Sequence, residues 1–393
     1  MRRIVIYGSV LLSALMPVLS YAEGNIKPYF SITTLNDSNI YRVENTDLLA
    51  SDRTADDTIY KSALGVDVDW NLSRQVLSFG VGLVDNRYKN NEQLDNLAKK
   101  MNANWNWVVG SKFSGNLAAN QSVSLADFES LDGFETSERT SSVFGFSGGW
   151  LFHPNWRVGV GLDISDSSYD TSGLQFLDLK QTTTSLNLSY LAGTGSRIGL
   201  LLQTTQGELP NRVVTEVSTI DNEYTQNVFA LTTLWNVTGK SNINARISLV
   251  TRAHPNIPQQ DYQGTNASLS YAWTPTGLLR FNLEAFKRIA SSEDVIGGYS
   301  ENTGFNFSTN WKVSGKVSVR AKVGRENRDY SAQSLDNTPS LDDIYNNQSL
   351  TLNYKIHRNF DISMSYSKKQ RESNQTLRDY DADLLSLSLK VNL

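Results

Sequence analysis

From Val143 to Ser165 the sequence VFGFSGGWLFHPNWRVGVGLDIS has a period of two. Phe144, Phe146, Trp150 and Phe152 share one face before His153-Pro154-Asn155, and Trp156, Val158, Val160, Leu162 and Ile164 share it afterwards. The opposite face carries Gly145, Ser147, Gly149, Arg157, Gly159, Gly161, Asp163 and Ser165, all small or polar. Strands project successive side chains to opposite sides, so this stretch is a long β-hairpin with one apolar and one wet side. A soluble sandwich would bury the apolar side against a second sheet, and a membrane barrel would show it to lipid. Recurrence of the pattern along the chain decides between them.

The pattern recurs at residues 26–35, 56–70, 73–88, 96–108, 111–125, 139–152, 155–168, 180–191 and 196–206. It continues at 224–237, 241–251, 262–273, 277–288, 300–313, 315–327, 345–356, 359–368 and 380–392. These are about 18 strands, with 16 as the alternative, each near the roughly 9 to 11 residues that a tilted strand needs to cross a bilayer. Short links such as GS, HPN, TGK and HR alternate with long polar ones such as NDSNIYRVENTDLLASDRTAD. That alternation predicts an all-β, antiparallel, up-and-down transmembrane barrel, with short periplasmic turns and long extracellular loops. The last strand, with Leu385, Leu387, Leu389, Val391 and Leu393 on one face, is expected to close on the first.

Tryptophans test this independently. Trp70, Trp105, Trp107, Trp150, Trp156, Trp235, Trp273 and Trp311 all lie near short links, as an interfacial aromatic belt requires. Tyr60, Tyr88, Tyr169, Tyr224, Tyr262, Tyr299, Tyr345 and Tyr380 lie near the other strand ends and predict a second belt.

The amino terminus, MRRIVIYGSVLLSALMPVLSYAEG, has Arg2 and Arg3, an apolar run and a small-x-small site at Ser20-Tyr21-Ala22. It predicts a secretory signal over residues 1–22, leaving the barrel as 23–393 and delivering it to a Gram-negative outer membrane. The chain has no cysteine, so no thiolate metal site or disulfide is available. With Lys+Arg 36 against Asp+Glu 40 it is mildly acidic, which argues against a nucleic-acid partner. His153 and His357 fall in short links and His254 in a long one, and none shares a strand with a serine and an acid. With no H-E-x-x-H and no phosphate-binding glycine loop, neither an enzyme nor a cofactor is expected.

The informative constellation is the face that alternates with the apolar one. Later strands place Arg246, Arg280, Glu284, Arg288, Lys312, Lys316, Arg320 and Lys322 on it, and earlier strands place Asp67, Asp69 and Asp163 there. Opposed basic and acidic walls would select permeants by charge, whereas mutual ion pairing would merely stiffen the wall. Asn102, Asn104, Asn106, Asn116, Asn120, Asn187, Asn282, Asn306, Asn310 and Asn353 add amides suited to sugar hydroxyls, or to ordinary polar filling.

Two stretches, D-S-N-I-Y-R from Asp37 to Arg42 and S-Y-S-K-K-Q-R-E-S-N from Ser365 to Asn374, resemble the β-barrel porin 2 group. Within that group the EpsL-type outer-membrane proteins of exopolysaccharide operons are the most similar. Barrels of this kind usually end in an aromatic residue, and Leu393 departs from that. The resemblance implies a passive pore that exports an exopolysaccharide chain, working with periplasmic or inner-membrane export proteins in a bed of lipid and lipopolysaccharide. Uptake of sugars or other small solutes is the alternative on the same fold.

Overall fold

The computed structural model describes residues 23–45, 49–129, 135–214, 221–291, 299–330 and 341–393. The predicted signal, residues 1–22, lies outside them. The first nine strands are β1 Glu23–Asp37, β2 Asp57–Leu72, β3 Gln75–Tyr88, β4 Asn96–Val109, β5 Phe113–Leu125, β6 Glu138–His153, β7 Trp156–Tyr169, β8 Leu179–Leu191 and β9 Arg197–Glu208. The rest are β10 Glu223–Thr238, β11 Ser241–Ala253, β12 Tyr262–Thr276, β13 Leu279–Ser291, β14 Tyr299–Lys312, β15 Val317–Asp329, β16 Asp342–His357, β17 Phe360–Ser373 and β18 Tyr380–Asn392. Each pairs antiparallel with its sequence neighbours, and β1 closes on β18 from Tyr29↔Asn392 to Asp37↔Leu384. Closure leaves no free edge, and it selects 18 strands over 16.

The two faces differ as the alternation requires. On β11, Ile247 and Leu249 are 62% and 59% exposed on the outside, while the intervening Val250 is fully buried on the inside. So much exposed apolar surface, continuous around the ring, is the face of a protein solvated by lipid tails. The strand interval Arg246 to Val250 thus reads in, out, in, out, in, and a one-residue slip would put Arg246 into lipid. Above the apolar band the outer face turns charged, with Arg87 paired to Asp85 at 2.9 Å and to Asp95 at 3.0 Å, and Lys368 to Asp381 at 3.2 Å.

The tryptophan belt is present at the short-turn rim: Trp105, Trp150, Trp156, Trp235, Trp273 and Trp311 are exposed on the outside. Trp70 is buried instead. The second belt is not tyrosine. Only Tyr60 of the eight tyrosines predicted for it is exposed on the outside. Tyr88, Tyr169, Tyr224, Tyr262, Tyr345 and Tyr380 occupy inward-facing positions, and Tyr299, although of outer parity, is buried against Tyr262 and His254. For the first six the physical reason is parity: these residues fall in step with the polar face and pack beneath the long loops.

Small residues on the inner face make room for large ones. In the row Tyr29↔Gly65↔Gly82 across β1, β2 and β3, the tyrosine ring lies over both glycines. A Cβ on Gly65 would sit 2.4 Å from that ring. Gly65→Leu is therefore expected to expel Tyr29 into the lumen and to lower the temperature of heat-induced barrel unfolding on a detergent gel. A Tyr29→Ala, Gly65→Leu double variant should recover most of the loss, and failure to recover would refute this packing.

Candidate functional site

The strands deliver the predicted walls to the inner face. Arg280, Asn310 and Arg320 stand in one row across β13, β14 and β15, and Lys322, Ser308 and Asn282 form the row above it. Arg246 on β11 and Glu284 on β13 have the same inward parity. Lys312 ends β14, but Lys316 sits in the short turn before β15, so it belongs to the rim rather than to the wall. Asp67 and Asp69 lie on β2 and Asp163 on β7. In a ring of 18, β2 is nine strands from β11 but five from β15, and β7 is eight from β15 but four from β11, so the acids occupy sectors separate from the bases without standing squarely opposite all of them.

The two walls are not equally charged. Asp69 is held by Lys27 at 2.7 Å and by the Ser78 hydroxyl at 3.1 Å. On the basic side, none of Arg246, Arg280, Lys312, Arg320 and Lys322 has a carboxylate within 4.0 Å among the described residues. Arg280 only donates to Asn282 Oδ1 at 3.2 Å. Arg280, Arg320 and Lys322 are also exposed, so the stiffening ion-pair web does not account for them. The amides form a separate wall, where Asn116 Nδ2 donates to Asn104 Oδ1 at 2.6 Å and to Asn106 Oδ1 at 2.9 Å.

Ion pairs concentrate instead near the long-loop end, where Arg288 of the predicted set meets residues beyond it. Glu326 takes Arg328 Nε at 2.8 Å, Arg288 at 3.3 Å and Asn302 Nδ2 at 2.9 Å. Asp343 takes Arg378 at 2.9 Å, and Asp37 takes both terminal nitrogens of Arg42 at 2.9 and 2.8 Å. The guanidiniums lie against rings: Arg288 over Phe286, Arg328 over Tyr345 and Arg371 over Tyr380, at 4.3, 4.0 and 5.2 Å from the centroids. Stacking fixes those planes and leaves their edges for hydrogen bonds. Inward parity of Glu326, Arg328 and Arg371 was readable in the sequence; their mutual contact was not.

Loops fold back to meet this cluster. Ile40, Tyr41 and Val43 after β1 pack with Leu94 and Phe128 from two other loops, with Tyr41 and Phe128 rings 4.9 Å apart. Asp57 ties the arrangement by accepting from the backbone of Asn90 and Asn91 at 3.0 and 2.9 Å. Phe128 brings its neighbour Glu129 across the barrel to β17, where Lys369 Nζ lies 3.0 Å from Oε2 and Arg371 donates to the Glu129 carbonyl at 3.1 Å. The Tyr380 hydroxyl also bonds the carboxylate. A cavity of about 150 Å³ adjoins it, lined among others by Glu326, Arg328, Tyr345, Asn347 and Lys369.

Burial alone would raise the Glu129 carboxyl. The charge and hydrogen bond of Lys369, the Tyr380 hydroxyl and the charge of Arg328 outweigh it and hold the group below its usual range. A carboxyl depressed in the folded state keeps its tether above the unfolded value, about 4.3, and loses it as pH falls through the lower folded one. Single-channel conductance relative to a Glu129→Gln variant should then stay constant from neutrality to about pH 4.5 and converge on the variant below that. Convergence already near pH 6 would contradict the tether.

Residues 254–393 match the family model described as Putative beta-barrel porin 2. No curated protein matches the chain. Among solved structures, Pseudomonas aeruginosa OccK9 (OpdG) is similar with a TM-score of 0.50 and 10% identity, covering 94% of this chain and 99% of that one. Acinetobacter baumannii OccAB3 is similar with a TM-score of 0.50 and 7% identity, again over 94% and 99%. The fold and its lipid-solvated surface define a transmembrane β-barrel of the porin fold.

Proposed function

We propose that this barrel is a passive diffusion pore of an outer membrane that admits small solutes and favours anions. The observation that carries the reading is the two adjacent rows with Arg280, Arg320 and Lys322, exposed to the lumen and without carboxylate partners among the described residues. A barrel of about 18 strands is wide enough to hold water, and unpaired fixed charge on a watered wall sets a potential that concentrates counter-ions. The charged ring above the apolar band suits the head groups of lipid and lipopolysaccharide. Planar-bilayer recording in a tenfold KCl gradient tests this. The reversal potential should report chloride as the more permeant ion, and a cation-preferring or non-conducting barrel would overturn the reading.

A second reading, export of an exopolysaccharide chain as in EpsL-type proteins, is favoured by the amide wall of Asn102, Asn104, Asn106, Asn116 and Asn120, which can exchange hydrogen bonds with sugar hydroxyls at little net cost. The loop tethered through Glu129 narrows the path that a polymer would take. Deletion of the gene separates the two: surface polymer is lost under the second reading and intact under the first. Under the second reading its partners would be periplasmic or inner-membrane export proteins.

A further inference from the structure

We propose that the cationic cage around Lys369 is a binding site for the carboxylate group of a permeating solute, and that Glu129 is its resident, displaceable counter-ion. The proposal rests on the diffusion reading above and names the place where the solute is held.

The cage is over-supplied with positive charge. Arg42, Arg288, Arg328, Lys369, Arg371 and Arg378 converge there against Asp37, Asp127, Glu129, Glu326 and Asp343. Three of those carboxylates belong to the barrel strands and are paired with cations of their own: Asp37 with Arg42, Glu326 with Arg288 and Arg328, Asp343 through Oδ2 with Arg378. Glu129 arrives on a loop, from the far side of six strand boundaries, and supplies the only carboxylate that Lys369 meets among the described residues. Its contacts are the ones that any carboxylate would make: an ammonium at 3.0 Å and a tyrosine hydroxyl.

Space for a visitor is already present. The cavity of about 150 Å³ beside Glu129 shares Lys369 and Tyr380 with it and adds Arg328, Asn306, Asn347 and Tyr345 as further polar groups. A solute carboxylate entering this cavity competes for Lys369 and Tyr380, while its hydroxyls meet the amides. The Glu129 main-chain carbonyl keeps its bond to Arg371 at 3.1 Å, so the loop need not leave when its side chain does. The basic rows of Arg280, Arg320 and Lys322 lie on the same sector, closer to the short turns, and continue the positive potential away from the cage.

Competition makes an unusual prediction, because removing a charge should tighten binding. The probe pair is gluconate and sorbitol, open-chain polyols that differ in one carboxylate. Block of chloride current through the full-length barrel in a planar bilayer is titrated with each. In Glu129→Gln the half-blocking gluconate concentration is expected to fall roughly tenfold, the value of one charge-assisted hydrogen bond no longer contested. Sorbitol block should not change. In Lys369→Gln, and in the double variant, gluconate block should be lost, which keeps the test informative if one variant folds poorly. Heat-modifiable migration on a detergent gel reports folding of each.

Equal gluconate block in wild type and Glu129→Gln would overturn the proposal, as would a parallel shift for sorbitol, which would indicate mere widening. Anion preference in the wild type is read from reversal potential and not from block, so failure of the cage leaves the diffusion reading standing and is distinguishable from its failure.

Discussion

Changing Arg280, Arg320 and Lys322 together to glutamine should abolish the anion preference of the pore, moving the reversal potential in a tenfold salt gradient to near zero or past it. These three side chains share two adjacent inward rows and face no carboxylate within 4.0 Å among the described residues, so their charge is not spent internally. Screening sets the conditions. The Debye length is about 10 Å at 0.1 M salt and about 3 Å at 1 M, so the difference from wild type should be large in dilute salt and small in concentrated salt. A matched control removes charge that is already compensated: Lys27→Gln with Asp69→Asn deletes an inward pair 2.7 Å apart and should shift selectivity little. If the triple variant keeps wild-type selectivity at 0.1 M, the wall does not set permeant choice.

What was legible in the sequence follows from which physical rule decides each feature. Alternation fixes the side of every strand residue, so the apolar outer face, the placement of Arg246, Arg280, Arg320 and Lys322, and closure of β18 on β1 could be read directly. Lys316 was misplaced by one turn boundary, because the strand begins only at Val317. The tyrosines show where a statistical expectation fails: near a strand end an aromatic is a belt residue only if its parity is outward, and Tyr169, Tyr345 and Tyr380 point inward. The cage was illegible for a different reason. Glu129 and Lys369 are 240 positions apart and meet because two polar-looking loops bring Ile40, Tyr41 and Val43 together with Phe128 in a small core of their own. Nothing periodic marks that segment, and a loop with buried apolar residues reads like any other until its partners are known.

Asp343→Ala tests how that cage is held from behind. Asp343 is fully buried and accepts from Arg378 at 2.9 Å; the Arg378 carbonyl accepts from Arg371 Nε, and Arg371 in turn donates to the carbonyl of Glu129 at 3.1 Å. The chain of contacts runs from β16, through the loop before β18, to β17 and then to the inward loop. Removing the carboxylate strips a buried guanidinium of a close counter-charge, a change that costs roughly 3–5 kcal/mol when one partner of such a pair is deleted. The barrel wall does not depend on this pair, because pairing of β16, β17 and β18 is continuous through their lower halves. The loss is therefore expected to appear as local opening at the long-loop end. Trypsin should cut at Arg378 in the variant within a time that leaves wild type intact, and single-channel current should become noisier while the main-state barrel still migrates as folded. Deleting both partners, Asp343→Ala with Arg378→Met, should restore quiet current because no unpaired charge is left buried. A double variant as noisy as the single one would mean that the Asp343 carboxylate steadies the cage by its own contacts, and that the charge left on Arg378 is incidental.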